Sequence, residues 1–357
     1  MNKKVLIAMS GGVDSSVTAL LIKQAGHECI GATMNLFQNE DIGLPVEKSC
    51  CSAADISDAE NVCKKIGIDY RVFNLQEKFK ENVIDRFVAA YENGATPNPC
   101  IDCNRYLKFG RLVERAEALG FDHVATGHYA QVGFDDAAGR WLLKKAADKH
   151  KDQTYVLYSL TQDMLSRCVF PLGKLSKDEV RRIASENGLA NAGKPESQDI
   201  CFVKGQDYTD FIEFYTGKVY PPGDFLDLQG NVIGQHQGLI RYTIGQRKGL
   251  GISFGEPMYV FDKDPVRNTV TLARDNELFT RELEAVDINL ISIPEIKGEL
   301  KVKARARYNQ KEQPAVVMQT APDRIRVMFD EPQRAIAKGQ AVVLYDGDTV
   351  VGGGTIV

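Results

Sequence analysis

The stretch from Lys4 to Ser16, Lys-Val-Leu-Ile-Ala-Met-Ser-Gly-Gly-Val-Asp-Ser-Ser, constrains this chain more than any other. Its unbroken apolar run, Val5 to Met9, predicts a strand buried on both faces. Ser10-Gly11-Gly12 then turns the backbone where a Cβ would obstruct it. Asp14, Ser15 and Ser16 favour a helix start, and Val17, Leu20 and Leu21 put an apolar stripe behind them. A buried strand, a glycine turn and a helix N-terminus bearing hydroxyls make an anion site, because unpaired N–H groups and the helix dipole point the same way. A bare Gly-Gly would suit any strand–turn–helix junction; the full Ser-Gly-Gly-x-Asp-Ser-Ser string favours phosphate.

The loop lacks the Gly-Lys-Ser/Thr of a γ-phosphate cradle and the Gly-x-Gly-x-x-Gly of dinucleotide sites. It resembles the PP-loop of the ATP pyrophosphatase superfamily. That resemblance implies cleavage of ATP between the α and β phosphates, adenylation of a carbonyl oxygen, and displacement of AMP by a nucleophile. Mg²⁺ is expected to accompany the phosphates.

Strand-like and helix-like stretches alternate as far as Tyr129, which predicts an α/β class with a doubly wound parallel sheet. Ligands of such a sheet sit at the carboxyl ends of its strands, where the Ser10 loop falls. Pro97 and Pro99 keep residues 96–99 out of regular structure, and a helix is expected from about Asn104. From Gly205 glycine and proline are frequent, predicting a small β-rich domain over 205–283; longer strands from Glu284 predict a terminal β-barrel over 284–357. With 357 residues, 43% hydrophobic and 26% charged, the composition is globular. No apolar run approaches the ~20 residues of a membrane span, and no signal peptide precedes the first strand, so a cytoplasmic address is expected. Net charge is −4, so any nucleic-acid surface must be a local patch.

Eight cysteines in such a chain point to metal or redox chemistry. Cys100 and Cys103 form a Cys-x-x-Cys, which serves zinc, a redox pair or two buried thiols equally well. A helix beginning after Cys103 would lower its thiol pKa and favour thiolate. His128, in Thr126-Gly127-His128-Tyr129, ends a short strand on the ligand edge. Lys151-Asp152-Gln153 follows a run of lysines that reads as a solvated face or as an RNA phosphate contact. Lys301, Lys303, Arg305 and Arg307 alternate with apolar residues, which would put four cations on one strand face. Cys201, on residues alone, reads as a buried small hydrophobe.

Taken in order, Ser10–Ser16, Asn98-Pro99-x-x-x-Cys103-Asn104, Thr126–Ala130, Lys151-Asp152-Gln153, Ser197–Phe202 and Tyr242–Leu250 resemble the tRNA-specific 2-thiouridylase family from end to end. The resemblance implies a pyrophosphatase domain over 1–204 and ATP-dependent 2-thiolation of the wobble uridine, U34, in tRNAs for Lys, Glu and Gln. Carried over by motif, Ala8, Met9, Ser10, Gly11, Gly12, Val13, Asp14, Ser15, Met34 and Gly127 would contact ATP. Cys103 would be the nucleophile and Cys201 the persulfide carrier, joined in a transient disulfide. Lys151, Asp152, Gln153, Arg307 and Tyr308 would meet tRNA, with His128 and Gln340 in support, and a cysteine desulfurase or relay protein would bring sulfur.

One position departs from the family pattern. Many members carry Asp where this chain has Cys100, which leaves Asp102 as the candidate acid or base. It also offers Cys100, Cys103 and Cys201 as ligands of a [4Fe–4S] cluster with one open iron. Two further classes stay open: a ligase or amidotransferase acting on a small metabolite, and a non-enzymatic RNA- or metal-binding protein. Cys63 reads as core, and Cys50-Cys51 as a pair without an assigned role.

Overall fold

The computed structural model describes residues 2–38, 53–195, 199–203, 207–252 and 255–357; Cys50, Cys51, Ser197 and Gln198 lie outside them. The parallel sheet is built from β1 (Lys4–Ala8), β2 (Glu28–Asn35), β3 (Asp69–Asn74), β4 (His123–Ala125) and, after the hairpin β5 (Ala130–Asp135) and β6 (Arg140–Lys145), the two-residue β7 (Cys168–Val169). Its spatial order is β3-β2-β1-β4-β7. The central strand pairs with β2 on one side, Val5 opposite Cys29, and with β4 on the other, Val5 opposite His123.

Alternate residues of β1 feed opposite faces, as a fully buried strand requires. Val5 and Ile7 pack with Val13 and Val17 of α1 (Val13–Gln24) and with Val180 and Ala184 of the helix Lys177–Glu186. Leu6 packs on the other side with Leu112, Val113 and Ala116. Because β1 sends its connections both ways, the crevice past its carboxyl end is the switch point of the sheet. The Ser10 turn occupies it.

Two long helical stretches, over 76–92 and 99–118, lie in the chain between β3 and β4. Each contains a π-helical segment, Lys80–Ile84 in the first and Cys103–Arg111 in the second. The second starts earlier than its prolines suggest. Asn98 caps it by accepting the Cys100 N–H at 3.2 Å, and Pro99 takes the first position, where a missing N–H costs nothing.

Beyond the first sheet, β8 (Gly223–Leu226), β9 (Val232–His236), β10 (Tyr259–Asp264) and β11 (Thr269–Ala273) form a small sheet ordered β10-β11-β8-β9. The helix Tyr208–Thr216 precedes it and packs Phe211 and Ile212 into an aromatic cluster of the first region. Six antiparallel strands then close a barrel: β12 (Phe279–Leu290), β13 (Leu300–Arg305), β14 (Gln313–Ala321), β15 (Arg324–Arg334), β16 (Ala341–Asp346) and β17 (Thr349–Ile356). Pairing of β12 with both β15 and β17 completes the ring. The early hairpin does not join the parallel sheet; β6 pairs with β17 of the barrel at Lys144 and Thr349. No helix among the described residues is long and apolar enough to cross a membrane.

Candidate active site

At the switch point, Gly11 takes φ +71°, and a Cβ there would lie 2.5 Å from the Asp55 carbonyl oxygen of α2 (Ala53–Ile66). Gly127 comes as close on the other side: its Cβ would stand 2.9 Å from the Asp14 carbonyl carbon and 3.0 Å from the Ser15 nitrogen. The start of α1 is thus wedged between α2 and the loop after β4, with no room for side chains at either glycine. Gly12 is its N-cap and supplies no side-chain acceptor, which leaves first-turn N–H groups for an anion. Ser10 and Ser15 share a hydroxyl contact at 3.2 Å, and Ser15 and Ser16 donate to the Gly12 carbonyl at 3.0 and 2.9 Å. Ala8 and Met9 lead into the turn, and Met34 flanks it from the carboxyl half of β2.

Four residues grip this loop, three of them outside every sequence motif. The Lys177 ammonium, nearly buried, donates to both oxygens of Asp14 at 2.8 and 2.9 Å, and the Tyr129 hydroxyl donates to Asp14 at 2.8 Å. Asn191 donates to the Gly11 and Gly12 carbonyls at 3.1 and 3.2 Å and to Ser16 Oγ at 2.7 Å. Lys194 reaches the Gly11 carbonyl at 3.3 Å while paired with Asp55 and Asp58 at 2.5 and 2.8 Å. A carboxylate inside an anion loop would repel phosphate; the Lys177 pair removes that charge. Only Tyr129 had a sequence signal, as the end of the Thr126 motif. Lys177, Asn191 and Lys194 are separated from the loop by more than 150 positions, and no local pattern marks them.

The thiols lie across the ligand edge. Cys103 and Cys201 are both half-buried and pack on one aromatic cluster with Phe79, Phe87, Phe202 and Phe211; Met34 packs on the same cluster. No disulfide joins the described cysteines. The expectation of a thiolate at a helix start is corrected here. The helix begins at Pro99, so Cys103 sits in its second turn, beyond the best of the dipole. Burial pushes the Cys103 thiol up to about 11, with Cys100 and Asp102 adding to the rise and Lys108 opposing it. Cys100 is exposed, and desolvation by the protein around it raises its thiol, with Lys108 opposing the rise. Burial likewise raises the Asp102 carboxyl, against the pull of Arg86, whose Nε stands 3.3 Å away. Cys63 is fully buried, its thiol pushed to about 12.

Cys100, Cys103 and Cys201 do not assemble into a metal-holding group, and no cluster of three His, Cys, Asp or Glu side chains does so among the described residues. His128 is buried, bonded through Nδ1 to the Thr126 hydroxyl at 2.6 Å and packed between Phe109 and Phe170. Burial drives its pKa well below the ordinary value, so the ring is neutral.

Several residues assigned to tRNA by resemblance carry internal bonds. Asp152 is buried and accepts from the Ala146 N–H at 3.0 Å and the Thr154 hydroxyl at 2.7 Å. Gln153 Oε1 accepts the Tyr129 N–H at 2.9 Å. Of the four alternating cations, Lys301 and Lys303 are exposed on β13 and Arg305 is half-buried. Arg307 lies past the strand end, correcting the single-face expectation; its guanidinium donates to the Ile244 carbonyl at 3.1 Å and to the Ala335 carbonyl. Tyr308 keeps an exposed edge and meets Tyr155 edge-on at 5.7 Å.

The family profile described as a tRNA methyl transferase HUP domain matches residues 3–205. Those described as a tRNA methyl transferase PRC-barrel domain and an aminomethyltransferase beta-barrel domain match 209–274 and 280–356. The tRNA-specific 2-thiouridylase MnmA of Clostridioides difficile (strain 630) is 51% identical over 356 residues, covering 100% of this chain and 98% of that protein. The chain belongs to the tRNA-specific 2-thiouridylase family. Other members stand equally near: the tRNA-specific 2-thiouridylase MnmA 1 of Thermoanaerobacter sp. (strain X514) is 52% identical, covering 99% of this chain and 98% of that protein. The tRNA-specific 2-thiouridylase MnmA of Acetivibrio thermocellus is 49% identical, covering 99% of each. Membership of the 2-thiouridylase family agrees with what the ordered motifs implied, and the parallel sheet, small central sheet and closed barrel agree with the expected fold.

Proposed function

We propose that this protein is a tRNA-uridine 2-sulfurtransferase that uses ATP to replace the C2 oxygen of U34 by sulfur in tRNAs for Lys, Glu and Gln. The observation that carries the reading is convergence. Met34, Cys103 and Cys201 pack on one cluster, at the same sheet edge as an anion loop whose carboxylate is already neutralised. A uracil C2 oxygen is a very poor leaving group, so it must first attack the α-phosphate of ATP and expel pyrophosphate. Ala8 to Ser15, Met34 and Gly127 are the candidate ATP contacts. Mg²⁺ would accompany the nucleotide's phosphates; no cluster of three His, Cys, Asp or Glu side chains stands ready to hold a metal among the described residues.

In the sulfur half, Cys201 is charged as a persulfide by a cysteine desulfurase or relay protein. Cys103 attacks the Cys201 Sγ; the bond to the outer sulfur breaks, and the electron pair leaves on hydrosulfide. Hydrosulfide attacks C2, AMP departs, and Cys103 and Cys201 remain as a disulfide for an external thiol to reduce. At neutral pH Cys103 is protonated, so its proton must leave as it attacks, and Asp102 is the candidate acceptor. These steps need no iron–sulfur cluster, and Cys100, Cys103 and Cys201 form no metal-holding group of three among the described residues. Lys151, Asp152, Gln153, Arg307, Tyr308, His128 and Gln340 are proposed to form or support the tRNA seat, together with Lys301 and Lys303. The target base must leave the anticodon stack to reach the thiols. We place the reaction in the cytoplasm.

The test is mass spectrometry of nucleosides after incubation with ATP, Mg²⁺, unmodified tRNA and a persulfide donor. 2-Thiouridine at position 34 supports the reading. Pyrophosphate release with a carboxylate metabolite and ammonia, and none with tRNA, would replace it by a ligase.

A further inference from the structure

One turn of the barrel touches the root of the nucleophile helix. Lys338-Gly339-Gln340, between β15 and β16, lies against Ala95 and Thr96. The Thr96 N–H donates to the Lys338 carbonyl at 2.7 Å, and Gln340 Nε2 donates to the Thr96 carbonyl at 2.7 Å. Both backbone groups of Thr96 are therefore satisfied from the barrel, across 244 positions in the case of Gln340. The turn is itself fixed: the Gly339 N–H donates to the Ile356 carbonyl, and the Ile356 N–H to the Gln340 carbonyl, each at 2.8 Å. Gly339 takes φ +86°, and a Cβ there would stand 2.9 Å from Ala95 Cβ and 3.1 Å from the Thr96 nitrogen.

From Thr96 the chain runs through Pro97 to Asn98, which caps the helix, and Pro99, which opens it. Two prolines in three residues leave the backbone little freedom to absorb a displacement. A shift at Thr96 therefore reaches Cys100 and Cys103. We infer that Lys338-Gly339-Gln340 is a clamp by which the barrel sets the nucleophile helix, with Gly339 as a positioning residue for sulfur transfer.

The inference rests on the thiolation reading for its kinetic test but not for its structural one. In the full-length Gly339→Ala variant, kcat for tRNA thiolation should fall by about tenfold to a hundredfold, as misplacement of a reacting group does. KM for ATP should stay within about twofold, because the phosphate loop is held by other residues. Hydrogen exchange over 95–103 should quicken by about tenfold in the same protein. Unchanged kcat and unchanged exchange overturn the clamp, and so does a loss shared by KM for ATP. Protection of Cys63 and Cys168 from alkylation reports that the variant is folded. If it is not, Gln340→Met decides: faster exchange over 95–103 in the tRNA-free protein supports the clamp, and wild-type exchange overturns it. If wild-type protein makes no 2-thiouridine, the functional reading fails, while exchange still judges the clamp.

Discussion

The phosphate loop and the nucleophile helix face the same crevice but are held in opposite ways. The loop is tied from within the first 195 residues, by Tyr129, Lys177, Asn191 and Lys194, and by packing of Gly11 and Gly127. The helix carrying Cys100 and Cys103 is tied at its root from outside that region, by Lys338 and Gln340 of the barrel. Gly94, just before that root, also packs against Lys263 of the small central sheet. The contrast teaches that ATP activation can be assembled locally, whereas delivery of sulfur depends on how the later regions sit on the first. A tRNA seated on the barrel would then bear on the thiols and leave the phosphate loop alone.

The largest expected effect separates the two halves outright. Cys201→Ser should cut 2-thiouridine formation by about a thousandfold or more, while tRNA-dependent ATP–pyrophosphate exchange stays near wild type. Loss of exchange as well would erase the division. Next, Gly127→Ala drives a Cβ into Asp14 and Ser15, so KM for ATP should rise by about a hundredfold. Exchange kinetics with the protection pattern of Cys63 and Cys168 unchanged would check it. Lys177→Met should raise KM for ATP by about tenfold, since it leaves the Asp14 carboxylate facing phosphate, and Lys177→Arg should recover most of the loss. Equal losses in both variants would point to packing and not charge.

The smallest effect concerns stability on the sulfur side. Lys263 is buried, donates to the Tyr242 carbonyl at 2.7 Å, and is held down to about 8 from the ordinary 10.5 by burial. Between those two values the unfolded chain binds more protons than the folded one, so this group makes stability rise with pH through that window. Below about 8 both states carry the charge and its contribution levels off. The wild type should gain roughly 1 kcal/mol relative to Lys263→Met between pH 7 and 9, read as a shift of a few degrees in Tm. Parallel Tm curves for the two proteins would show that Lys263 does not titrate in that range.

Legibility in the sequence followed the same division. Val5–Met9 and Ser10–Ser16 announced a buried strand and an anion turn because both signals are local: side-chain period, glycine and capping residues lie within thirteen positions. The helix over 99–118 was readable only in its second half. Its capped start at Asn98-Pro99 looked like a breaker, since proline is tolerated at the first turn and excluded one turn later. Both π-helical segments escaped, as their i→i+5 bonding leaves no period that composition displays. The short β7 and the long β12 and β17 were missed, the first for its length and the others because glycines and polar residues dilute their alternation.

The sequence alone determined the phosphate loop, the α/β class, the order of the motifs and, through that order, the family. Each depends on contacts between near neighbours or on a linear string. The tertiary structure alone decided that burial raises the Cys103 thiol, that the hairpin β5–β6 pairs with the barrel, and that Lys177 neutralises Asp14. It also decided that a barrel turn holds Thr96. Burial and long-range hydrogen bonds arise only when distant segments meet, and chain topology, not composition, determines which segments those are.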